Sequence, residues 1–77
     1  MTDPLIELFA EVLQIDGARL NEETSPQNTS QWDSLAAMAL VAAIEEKFNV
    51  RLSTKQIMKM STIGRARQAL QSMSVPV

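Results

Sequence analysis

At 77 residues the chain is one small domain, whose core supplies only about 3–5 kcal/mol of net stability. It has no cysteine and no histidine, which excludes disulfide staples, thiolate nucleophiles, the usual zinc ligands and a neutral-pH base, so neither a catalytic nor a metal site is expected. The net charge of −2 hides a polarised chain: residues 1–46 hold all nine acids against Arg19 alone, a balance of −8, while residues 47–77 hold six bases and no acid.

The amino-terminal stretch MTDPLIELFAE carries acids where a signal peptide needs bases. Asp3-Pro4 reads as a helix start, since proline is tolerated in the first turn and an acid suits the positive end of the dipole. Leu5, Phe9, Val12 and Leu13 recur at three- and four-residue steps, predicting one apolar stripe to about Ile15, where Asp16-Gly17 stops it. Residues 16–32 are polar and turn-forming, with Leu20 the only aliphatic anchor of any size. A loop this long in a compact domain is usually functional or disordered.

A second helix is expected from about Ser34 to Lys47, with Leu40, Ile44 and Phe48 as its core ladder and Leu35, Met38 and Ala42 on another side. The longest apolar stretch, Leu35 to Ile44, is too short and alanine-rich to span a bilayer, so a soluble cytoplasmic protein is the expectation. Ser53 and Gln56 have capping-box spacing over a short third helix, and Ser61 or Thr62 can cap a last one with Ile63, Ala66 and Leu70 on its buried face. Gly64 near its start weakens that helix by about 1 kcal/mol relative to alanine. The tail SMSVPV reads as frayed. The fold class is therefore all-α: a small four-helix bundle with a long loop between helices one and two and a short third helix, ordered over about residues 3–72 of a single domain spanning 1–77.

Ser34 stands at the start of helix two, between Asp33 and Leu35. The ordinary reading is capping, because serine and aspartate both accept bonds from the first free amides. A second reading uses the same place differently: a phosphate esterified to Ser34 would sit beside the unpaired N–H groups and the positive end of the dipole. Asp33 could then help hold the hydroxyl, or a metal ion brought by a modifying enzyme.

These residues, together with LVAAIEEKF and its Glu45, Glu46 and Phe48, the NVRLS turn and MSTIGRARQAL, resemble the acyl carrier protein family over essentially all of residues 4–72. The resemblance implies that Ser34 carries a 4′-phosphopantetheine arm transferred from coenzyme A, and that the chain is a non-catalytic carrier of acyl or aminoacyl thioesters. The arm ends in a thiol, which is how a chain without cysteine could hold thioesters. It implies as partners a phosphopantetheinyl transferase and acyl-activating or acyl-transferring enzymes, met by Asp33, Leu35, Met38, Lys55 and Lys59. Carriers of primary fatty-acid synthesis usually have acids where this chain has Ala36 and Ala39, and more acids where it has Lys55 and Lys59. Trp32, where such carriers tend to have a small residue, is similar to freestanding carriers of specialised pathways.

Other readings stay open beside this one. Met38, Met58 and Met60 could line an adaptable slot for a tethered acyl group or serve as core filler, Met38 also falling on the Leu35 side as part of a docking patch. Trp32 could touch a partner or tuck onto its own domain, and Glu45-Glu46-Lys47 reads as a solvated face. The charge asymmetry is either drift in surface charge or a partner surface. A helical interaction module without prosthetic group is the alternative. Nucleic-acid binding is not expected, because the basic half has no aromatic beyond Phe48 at its border and no recognised motif. A monomer is expected.

Overall fold

The Asp3 carboxylate accepts the Leu5 and Ile6 amides at 3.1 and 3.3 Å, opening α1 at Pro4–Leu13. The structure, a computed structural model describing residues 3–77, then continues with α2 at Ser34–Phe48, α3 at Thr54–Lys59 and α4 at Ile63–Ser72. Among the described residues it is a small helical bundle without strands, as expected. α1 ends before Ile15 because Gln14 adopts the left-handed conformation (φ 57°), and the Ile15 N–H turns back to the Ala10 carbonyl at 3.1 Å. Asn49 closes α2 in the same way, at φ 53°.

The buried face of α1 is Leu5, Leu8, Phe9 and Leu13, with Val12 only half-buried, and it lies against α2. α2 contributes Leu40 and Ile44, and α4 contributes Ile63, Ala66 and Leu70, all three at 0% exposure. Phe48, expected in the core ladder, is half-buried: it is the last residue of α2, a turn beyond Ile44, at the rim of the bundle. The capping box of α3 forms as read, Ser53 Oγ accepting the Gln56 amide and Gln56 Oε1 accepting the Ser53 amide. Thr62 caps α4 by accepting the Arg65 amide at 3.0 Å.

The long loop is ordered by its own polar side chains. Thr24 Oγ1 accepts the Asn21 amide, Asn21 Oδ1 accepts that of Glu23, and Asn28 Oδ1 accepts that of Ser25. A 3-10 turn at Gly17–Arg19 brings Leu20 inward, and Thr24, Ser25 and Trp32 are buried as well. The loop also completes α4, whose Ile63 and Gly64 amides donate to the Thr24 and Glu22 carbonyls at 3.0 and 2.9 Å. Two free donors of a buried helix end are thereby satisfied, which is what the length of the connection achieves.

The tail read as frayed folds back instead. Ser74 is left-handed (φ 67°), its N–H donates to the Gln71 carbonyl, and the Val75 N–H reaches the Leu70 carbonyl at 3.0 Å. This is a Schellman closure, with its usual apolar partner supplied by Val75, which is buried. Charges from the two halves of the chain also meet. Arg67 on α4 donates to Asp3 at 2.6 Å and to Glu22 at 2.7 Å, tying the start of α1 and the loop to the last helix.

Candidate functional site

Trp32 delivers the chain to α2. Its ring meets Phe9 edge-on, with centroids 5.2 Å apart and planes at 64°, so it tucks onto its own domain. The Trp32 backbone N–H donates to the Thr29 carbonyl at 3.0 Å, fixing the turn that precedes the helix. Asp33 follows in extended conformation and acts as the N-cap, its Oδ1 accepting the Ala36 amide at 2.9 Å.

This arrangement separates the two residues that the sequence left equivalent. Asp33 does the capping, and Ser34 is the first helical residue, exposed to solvent. No hydrogen bond among the described residues takes up its hydroxyl, nor the backbone amides of Ser34 and Leu35. The reading of Ser34 as a mere cap is thus corrected: the longer reach of the preceding carboxylate fills that role. What remains is a free hydroxyl beside two free N–H groups at the positive end of a fifteen-residue helix. A phosphodiester on that hydroxyl fits the site electrostatically and sterically, since donors are present and the outward side is open.

A shallow depression beside Ser34 is lined by Pro26, Trp32, Asp33, Ser34 and Ala37. Trp32 and Ala37 also line a partly open apolar cavity of about 50 Å³ that reaches Phe9, Leu40, Val41, Ile44, Ile57, Met60 and Ala66. Nothing in the local sequence pattern singled out Ala37, Val41 or Ile57, because a cavity wall is defined by the helices that face it. Met60 is half-buried in this wall. Met58 is not core filler: it is 78% exposed, one step round α3 from the residues that face inward.

Leu35 and Met38 are also exposed, at 78% and 72%. Lys55 and Lys59 are exposed on α3, and Lys59 shares a surface groove with Arg65, Gln68, Ala69 and Ser72 of α4. Asp33, Ser34 and Leu35 are thus brought together at one helix start, whereas Lys59 faces the α4 side of α3. Of the acidic pair on α2, Glu46 is solvated, but Glu45 accepts the Leu52 amide at 2.8 Å and secures the link into α3.

Residues 3–70 match the family profile of the phosphopantetheine attachment site. The acyl carrier protein of Wolinella succinogenes is 32% identical over 62 residues, covering 80% of this chain and 82% of that one. The chain belongs to the acyl carrier protein family. The acyl carrier protein of Helicobacter pylori is 33% identical over 57 residues (74% of this chain, 73% of the relative), and that of Chlamydia caviae 30% over 64 residues (83% of each). The protein is a non-catalytic carrier, and its prosthetic group is a covalently attached 4′-phosphopantetheine. Members of the family work with phosphopantetheinyl transferases and acyl-handling enzymes. Among the described residues of this carrier, no helix is long and apolar enough to cross a membrane.

Proposed function

We propose that Ser34 is the residue bearing the arm, and that the carrier serves a specialised biosynthetic pathway. The observation that supports the first part is the division of labour at the helix start: Asp33 caps, so the Ser34 hydroxyl is left without a structural partner. When bound, the group supplies the terminal thiol that this cysteine-free chain lacks. Ser34 Oγ provides the ester oxygen, and the Ser34 and Leu35 amides face the phosphodiester charge. The Trp32–Phe9 contact holds the preceding loop in place, so the attachment point rests on a rigid support.

Support for a specialised pathway comes from the residues around the site. Ala36 is half-buried and Ala39 exposed where carriers of primary fatty-acid synthesis usually have acids, and Lys55 and Lys59 stand exposed where such carriers have more acids. A partner built to grip acids there meets neutral or like charge on this chain.

Incubation with coenzyme A, Mg²⁺ and a broad-specificity phosphopantetheinyl transferase should add one phosphopantetheine to the intact mass. The Ser34→Ala variant should stay at its starting mass while keeping its stability within about 0.5 kcal/mol, since the hydroxyl holds nothing. An equal mass gain by Ser34→Ala overturns the assignment. For the pathway, the loaded carrier should be a poor substrate for the acyl-transferring enzymes of primary fatty-acid synthesis. Efficient loading by them would place it in that pathway instead.

A further inference from the structure

We propose that the depression beside Ser34 seats the first segment of the arm, with Pro26, Trp32 and Ala37 holding the pair of geminal methyl groups that follows the phosphodiester. The proposal rests on the Ser34 reading, because the seat serves only a group tethered at that hydroxyl. Asp33 and Ser34 themselves line the depression, so whatever is esterified to Ser34 starts at its edge. The rest of the lining is mainly apolar, in a loop that is otherwise polar: Pro26 is the single apolar residue between Asn21 and Gln31. Packing against Phe9 explains why Trp32 is buried, but not why the one apolar residue of that stretch lines the same depression.

The walls of the seat are fixed by the fold. Pro26 is the second residue of a turn in which the Asn28 N–H donates to the Ser25 carbonyl at 3.2 Å, a place where proline presets the backbone. Ser25 is buried, and its own N–H donates to Asn28 Oδ1 at 3.0 Å. Trp32 is 6% exposed and braced edge-on by Phe9. Ala37 lies one turn along α2 from Ser34, half-buried, and its small side chain keeps the space open.

The chemistry of the arm matches these walls in order. Its phosphodiester charge suits the free Ser34 and Leu35 amides. Next come a methylene and a carbon bearing two methyls, a compact apolar unit on a tether too short to leave the surface around Ser34. A hydroxyl follows, and Asp33 at the rim has one carboxylate oxygen beyond the one that accepts the Ala36 amide. The tether makes contact intramolecular, so weak apolar burial is enough to populate it. Withdrawing two methyls from water favours the seated arm by about tenfold before the ordering of its rotors is deducted. A seated arm in exchange with a free one is therefore expected.

The test starts from the full chain labelled uniformly with heavy carbon and nitrogen, then loaded enzymatically from unlabelled coenzyme A, with the thiol left free. Intact and peptide masses first establish whether one arm sits on Ser34. Isotope-filtered NOE spectra should then connect the geminal methyls of the arm to the Trp32 indole, the Pro26 ring and the Ala37 methyl. The indole ring current should also move those methyl signals away from their position in free coenzyme A. Pro26→Asp sets a like charge beside the phosphodiester on an exposed turn, so it should weaken these contacts severalfold while keeping a cooperative urea transition. Pro26→Ala, which removes the ring without adding charge, should fall between. A chain loaded at Ser34 whose methyls contact none of these residues overturns this proposal alone. Contacts to Leu40, Ile44 and Ile57 instead would put the arm in the neighbouring cavity and overturn it equally. A chain that gains no arm, or gains it elsewhere, fails the Ser34 reading and this one with it.

Discussion

Arg67 shows how much one side chain can join in a small fold. It is half-buried and donates to Asp3 and Glu22, residues 64 and 45 positions away. The Arg67 guanidinium holds the Asp3 carboxyl below its ordinary value of 3.8; the Ile6 and Leu5 amides act in the same direction, and partial burial opposes them. A carboxyl depressed in the folded state contributes stability that is fully present above its unfolded value and is lost as pH falls through the lowered folded value. Asp3→Asn keeps a good cap but loses the charge, so it should be less stable than the parent at neutral pH. The gap should close as pH falls below about 4, read from urea midpoints across the range. Arg67→Ala should cost about 1–2 kcal/mol, discounted because Asp3 and Glu22 are both partly solvated. Arg67→Lys should recover only part of this, since one ammonium cannot match two carboxylates with a planar fork.

The elements of this bundle are closed by particular backbone partners, and Gly64 is where two of them meet. Considered within α4 alone, glycine weakens the helix and alanine would strengthen it by about 1 kcal/mol. The loop changes that sign. A Cβ at position 64 would lie 3.0 Å from the Glu22 carbonyl oxygen and 3.2 Å from the Glu22 Cβ, while that same oxygen accepts the Gly64 amide. Backbone cannot move away without breaking the bond, so the overlap should exceed the propensity gain. Gly64→Ala is expected to lower stability by about 1 kcal/mol in urea, the lower end of overpacking costs. A more stable variant would show that the loop yields easily at Glu22.

At the scale of the whole molecule, the buried and the solvent-exposed apolar residues of α2 occupy different sides of the same helix. The inward side of α2 meets Phe9, Trp32 and Ile63 around Leu40 and Ile44, whereas Leu35 and Met38 face solvent. Phe9 is 1% exposed, and its truncation to alanine should cost about 3–5 kcal/mol, comparable with the whole net stability of so small a domain. Phe9→Ala should therefore lose most of its cooperative urea transition by circular dichroism. Phe48→Ala should lie between, because the ring is only half-buried, and Leu35→Ala should stay within about 0.5 kcal/mol of the parent. Equal losses at Leu35 and Phe9 would contradict the division of faces.

What could be determined from the sequence depends on residues close together in the chain. The stripe of Leu5, Phe9 and Leu13, the Ser53–Gln56 box, the Thr62 cap and the buried face of Ile63, Ala66 and Leu70 are each set within a few turns of one helix, where backbone geometry fixes which residues meet. The placement of Ser34 at a helix start was legible for the same reason. Other features required segments far apart to find each other. Arg67 among Asp3 and Glu22, Trp32 against Phe9, the loop carbonyls on the start of α4, and Val75 folded back on Leu70 all depend on that meeting. So do the exposure of Met58 and the half-burial of Phe48, since a helix period says which residues share a face but not where the neighbouring helix ends. At the candidate site the margin was a single residue. Asp33 and Ser34 are both good caps by composition, and only the folded turn decides that the carboxylate reaches the Ala36 amide and leaves the serine hydroxyl free.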